Sequence, residues 1–132
     1  MNKICTDLIQ SRRLIELGID VNTADMYYTK HSIENYYSPI PFLGKYSKIQ
    51  DEIPCWSLTA LEKLMPFQLI ENNNRYGFSQ VKGFNKQGET YRFGYKSDDN
   101  SFLFETSWSN NPIDAAFQMV CWLKENEKII QT

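Results

Sequence analysis

The side chains able to do acid–base, nucleophilic or metal chemistry are few and scattered along these 132 residues. His31 is the only histidine, so a Ser-His-Asp or Cys-His relay would have to run through it. No nucleophile elbow or cysteine-protease signature accompanies it. A strand-end histidine half in water is the better reading, because catalysis needs a constellation. The three cysteines, Cys5, Cys55 and Cys121, lie far apart in the chain. With no C-x-x-C pair and no flanking histidine or basic cluster, they argue against a zinc cage and against an activated thiol. An odd, scattered set without an export signal reads as reduced thiols acting as small buried hydrophobes.

Carboxylates are no more suggestive. Asp98-Asp99-Asn100 resembles a fragment of a calcium loop, but the spaced ligands, central glycine and terminal glutamate are missing, which leaves a turn. Asp51 with Glu52, and Asp20 with Asp25, could serve as general acid and base only if folding joined them; solvated loop charges are the simpler reading. Gly77, Gly83, Gly88 and Gly94 lack the spacing that cradles phosphate and fit turns, bulges or close packing. The sequence therefore assigns no catalytic residue, no cofactor site and no metal ligand.

Aromatic residues make up 14% of the chain, and Tyr91, Phe93 and Tyr95 alternate along one strand pattern. With Arg92, Lys96 and Lys82 nearby, that face could stack the bases of single-stranded nucleic acid. Against this stand the missing RNP pattern and a formal charge of −2. Alternating rings beside amphipathic helices usually form core, so nucleic-acid binding through Tyr91, Phe93, Tyr95, Arg92 and Lys96 is the second reading.

The elements that would hold these residues can be read from periodicity. A first helix is expected over 7–17, capped by Thr6 and stopped by Gly18 in a Schellman ending with Ile19, with Ile4, Leu8, Ser11 and Ile15 on its apolar side. A strand follows over 25–31. Residues 32–54 contain Pro39, Pro41, Gly44 and Pro54 and read as an extended loop with a short strand near Tyr36. A loop of that length is the first place to seek a site. Ser57 caps a short helix ended by Pro66. Four strands, 67–71, 76–84, 89–96 and 102–108, then form a meander joined by hairpin-length turns. In the last of them, Phe102, Phe104 and Trp108 share a face. The final helix starts at Asn110 or Asn111 with Pro112 and Asp114 in its first turn. Its second apolar strip, containing Met119 and Trp122, suits either deep burial or a partner.

Three stretches carry a family likeness: Ile53-Pro54-Cys55-Trp56-Ser57-Leu58-Thr59-Ala60-Leu61 through Leu64-Met65-Pro66, Asn111-Pro112-Ile113-Asp114-Ala115-Ala116-Phe117 through Trp122-Leu123-Lys124, and Asn22-Thr23-Ala24-Asp25-Met26-Tyr27-Tyr28. In these the chain resembles a group of small uncharacterised proteins encoded in gut bacterial genomes and their prophages. That resemblance implies an accessory role and carries over no reaction, ligand or catalytic residue.

Length and composition favour one domain over 1–132 with a frayed tail from about residue 127. The expected fold is α+β: an antiparallel sheet of about five strands with about three helices on one face. No apolar run is long enough to span a membrane, and Met1–Gln10 lacks a signal-peptide core, so a cytoplasmic location is expected. The function expected is a non-enzymatic accessory or interaction protein that binds a protein partner or a second copy. Its interaction surface is placed at Met119, Trp122, Tyr36, Tyr37 and Phe42. An enzyme whose site assembles only in three dimensions is the remaining alternative.

Overall fold

The computed structural model describes residues 3–30, 37–41 and 52–128. Among them run α1 (Leu8–Glu16), a 3-10 turn (Val21–Thr23), β1 (Met26–Lys30), β2 (Tyr37–Pro41), β3 (Glu52–Cys55), α2 (Leu58–Lys63), β4 (Gln68–Glu71), β5 (Asn74–Asn85), β6 (Gly88–Lys96), β7 (Phe102–Glu105) and α3 (Pro112–Glu125). The fold is α+β, and every strand pair is antiparallel. The strands divide into a smaller sheet ordered β2-β1-β3 and a larger one ordered β4-β5-β6-β7.

At the start of α1 the Asp7 carboxylate accepts from the Gln10 N–H at 2.7 Å, and the Gln10 side chain accepts from the Asp7 N–H at 3.0 Å. This capping box begins the helix one residue later than the Thr6 cap expected. Thr6 is used elsewhere: its N–H donates to the Trp56 carbonyl at 2.9 Å, and its hydroxyl accepts from the Trp56 N–H at 3.1 Å. Gly18, at φ 87°, ends the helix, with its N–H donating to Ile15 and the Ile19 N–H to Leu14. That is the predicted Schellman ending. The buried stripe is rotated from the expected one: Ser11 and Leu14 face inward, while Ile4 and Ile15 are exposed. Ser11 tolerates the core because its hydroxyl shares a hydrogen bond with that of Thr6 at 2.8 Å.

β2 and β3 are the edges of the smaller sheet, where the missing N–H groups of Pro39, Pro41 and Pro54 cost least. Those prolines made 32–54 read as loop. In the larger sheet, Asn72 and Asn73 adopt positive φ values of 50° and 66° in the β4–β5 turn, and Gly88 stands at φ 115° as β6 begins. Short left-handed turns of this kind match the twist of hairpin strands.

α3 closes the core. Asn111 caps it by accepting from the Ile113 N–H at 2.8 Å, with Pro112 in the first turn. Ile113, Ala115, Ala116, Met119, Val120 and Leu123 are buried against Trp56, Leu61, Phe93 and Tyr95. The Trp122 ring stacks on Phe104 at 4.5 Å between centroids. At the far end the Lys128 N–H donates to the Leu123 carbonyl at 2.7 Å, and its ammonium pairs with Glu71. These contacts hold the end of α3 to β4 as far as Lys128, the last described residue. Lys3, Gln10 and Asp114 form a further tie at the opposite end, with Lys3 2.6 Å and Gln10 2.8 Å from the same carboxylate oxygen.

Candidate functional site

β6 divides the larger sheet into two chemically different faces. Tyr91, Phe93 and Tyr95 point toward α3, and Thr90, Arg92, Gly94 and Lys96 point away. The register carries this across the sheet: Gly77, Ser79, Val81 and Gly83 of β5 stand opposite Lys96, Gly94, Arg92 and Thr90, and Ile70 of β4 stands opposite Arg75. α3 packs on the inner side of β6, while Ile70, Val81, Phe102 and Trp108 on the outer side stay partly exposed.

Two irregularities place aromatic rings there. A bulge between Tyr95 and Lys96 shifts the β7 register, so that Lys96 pairs with Phe102 while Tyr95 pairs with Phe104. Phe104 consequently faces α3 and Phe102 the outer side. The expectation that Phe102, Phe104 and Trp108 share one face fails for this reason. Past β7, the Phe93 N–H donates to the Thr106 hydroxyl at 3.1 Å in place of a main-chain carbonyl, and Ser109 pairs again with Tyr91. Trp108, between these points, lies on the outer face.

Glycines make the floor on which both rings lie. A Cβ at Gly94 would approach the Phe102 ring at 3.0 Å, and one at Gly83 would approach the Trp108 ring at 3.3 Å. Arg92 lies between them along β6, its guanidinium 4.6 Å from the Trp108 ring centroid and 3.5 Å from the Glu105 carboxylate. Thr90, which shares the Trp108 end, and Gly94 are four residues apart, so the rings stand about 13 Å apart along the strand. Ile70 is 64% exposed, Val81 40%, Phe102 43% and Trp108 45%. Arg75 and Lys96 are also exposed, which gives this apolar face a basic fringe.

Among the described residues, the acidic groups Glu89 and Asp99 in and near the hollows are engaged in local hydrogen bonds. A hollow of about 480 Å³ is lined by Lys3, Gln87, Glu89, Tyr91, Asn110, Asn111 and Pro112. The Tyr91 hydroxyl donates to Glu89, and this bond, with Lys82, holds the Glu89 carboxyl below its ordinary value; the same bond raises Tyr91. Both groups move away from neutrality, the opposite of what a general acid or base needs. Asp25 accepts from the Ser57 N–H at 2.9 Å and Asp20 from the Asn22 N–H at 3.0 Å, so these carboxylates cap and brace turns. In the Ser97–Ser101 turn Asp99 accepts from Ser97 and Ser101, which lowers its carboxyl to about 2. Among the described residues no group of three His, Cys, Asp or Glu side chains is arranged to hold a metal.

The expected interaction residues fall in different places. Met119 is fully buried, so it offers no surface. Trp122 is half-buried under Phe104. The second apolar strip of α3 is thus consumed within the chain, because the sheet and α2 enclose the helix together. Tyr37 stands in β2 opposite Lys30; Tyr36, Phe42, His31 and Asp51 lie outside the described residues. The proposed base-stacking face is also corrected. Phe93 and Tyr95 are fully buried, the Tyr95 hydroxyl donating to the Pro66 carbonyl at 2.6 Å, and only Tyr91 reaches the surface. Arg92 and Lys96 occupy the outer face.

One meeting of residues escaped the sequence. Cys5 and Cys55 share a small buried cluster with Met26 and Tyr28. The Cys5 thiol lies 3.6 Å from the Tyr28 hydroxyl, which donates to the Thr6 carbonyl at 2.9 Å. Interaction between the neighbouring thiols lowers Cys5 and, with burial, raises Cys55. Cys121 stands apart, and burial pushes it up to about 11. No family model, no curated protein and no solved structure matches the chain.

Proposed function

We propose that this protein is a non-enzymatic interaction module that binds a protein partner on the outer face of the larger sheet. The observation that carries the reading is the uncovered surface of Ile70, Val81, Phe102 and Trp108, set on a glycine floor. Partly exposed aromatic residues beside arginine are the side chains that anchor interfaces. The missing side chains at Gly94 and Gly83 let the Phe102 and Trp108 rings lie flat on the sheet, where their outward faces can meet a partner. Arg75 and Lys96 favour an acidic partner over a second copy, because a two-fold related face would set these charges against one another. An accessory role, as implied by the resemblance to proteins of gut bacterial genomes and prophages, is in keeping with this reading.

Capture of partners from the native cells, compared between the unaltered protein and a Phe102→Ser, Trp108→Ser variant, tests this reading. A partner retained by the first and lost from the folded variant supports it; equal retention overturns it. Concentration-dependent dimerisation in light scattering, abolished by the same changes, would replace the partner with a second copy. Salt-sensitive binding of a fluorescent single-stranded oligonucleotide, also abolished by them, would instead establish stacking by Trp108 and Phe102.

A further inference from the structure

We infer that Cys5 and Cys55 form a reversible disulfide that staples the segment before α1 to β3. Three observations converge on the pair. The two thiols lie in one buried cluster with Met26 and Tyr28. Their neighbours Thr6 and Trp56 are joined by the two hydrogen bonds Thr6 N–H to Trp56 carbonyl and Trp56 N–H to Thr6 hydroxyl, at 2.9 and 3.1 Å, which fixes the backbones side by side. The Cys5 sulfur is further positioned at 3.6 Å from the Tyr28 hydroxyl.

Burial does not bar the chemistry. Cys5 precedes α1 and belongs to no helix or strand, so exposing its thiol requires opening the Thr6–Trp56 and Lys3–Asp114 ties but no strand pairing of either sheet. A low-molecular-weight disulfide such as oxidised glutathione supplies the oxidant. The Cys5 thiolate attacks one of its sulfurs, forming a mixed disulfide and expelling one small thiolate. When the segment closes, the Cys55 thiolate displaces the second. Two protein thiols lose two protons and two electrons, and one small disulfide becomes two small thiols. Cys121 has no cysteine partner in this cluster and stays reduced.

Titration of the full chain with mixtures of oxidised and reduced glutathione, followed by alkylation and mass mapping, tests the inference. Free thiols should fall from three to one, with Cys5 linked to Cys55. The cross-link closes a loop of about 50 residues and should raise Tm on the order of 10 °C. Cys5→Ala and Cys55→Ser should abolish both changes, whereas Cys121→Ser should leave them intact. Cys5→Ala alters only the segment before α1 and provides the control if Cys55→Ser fails to fold. Three free thiols at the most oxidising mixture, in native protein and in mild urea alike, or a bridge to Cys121, would overturn the inference.

Discussion

The two faces of β6 use one strand for opposite purposes. Toward α3, Phe93 and Tyr95 are fully enclosed, and Phe78 packs on both rings at 5.7 and 5.8 Å between centroids. On the other side Gly94 and Gly83 provide no side chain, and Phe102 and Trp108 lie across them half in solvent. The inner face therefore sets stability, since buried apolar area is the main favourable contribution to folding. The outer face contributes less to cohesion and leaves apolar area available for binding.

The largest expected effect lies on the inner face. Phe93→Ala removes a ring from the centre of the core and should cost about 3–5 kcal/mol in denaturant unfolding; a cost below about 1 kcal/mol would show that this face is not the core. Next comes the floor. Gly94→Val places a branched side chain against the Phe102 ring, already 3.0 Å from a single Cβ, and should cost about 1–3 kcal/mol while displacing that ring. Replacing Phe102 with Ala in the same chain should recover part of that loss. A smaller effect is expected at Trp108→Ala, under about 1 kcal/mol, because a half-exposed ring and its contact with Arg92 are removed at the surface. This substitution separates the faces: it should impair partner binding while leaving the unfolding midpoint almost unchanged.

The smallest effect concerns the turn leading into β7. The folded Asp99 carboxyl, held down to about 2 by Ser97 and Ser101, titrates below the ordinary 3.8. Its contribution to folding is present above the ordinary value and is lost as pH falls toward 2. NMR titration of the carboxyl carbon should give a midpoint near 2, and Asp99→Asn should remove that component of the acid response. A midpoint near the ordinary value would show that the serine contacts do not persist in solution.

Much of this arrangement was legible from local chemistry. Asn111, Pro112 and Asp114 announce the start of α3, Gly18 and Ile19 announce the end of α1, and the asparagine-rich breaks announce the hairpins. Non-local features were not. β3 was concealed because Pro54 interrupts its short pattern, and edge position is set by the sheet rather than by the residue. Helical periodicity showed that Met119 and Trp122 sit on apolar sides of α3 but could not distinguish enclosure by the same chain from enclosure by another. Strict alternation puts Phe102 on the face of Phe104, because it cannot anticipate the bulge between Tyr95 and Lys96. The meeting of Cys5 with Cys55 depends on the segment before α1 docking beside the end of β3 through Thr6 and Trp56, for which their separation in sequence gives no sign.

On the proposed reading the outer face binds a partner while the opposite face holds the fold together. A photoreactive residue placed at Val81 on that face, with a control at Ile9 on α1, tests it most directly in the native cells. Ile9 is 80% exposed and Val81 40%, so accessibility alone favours the control. Irradiation should yield a discrete cross-linked species from position 81 and none from position 9; no adduct at 81, or the same adduct from both positions, would contradict the account.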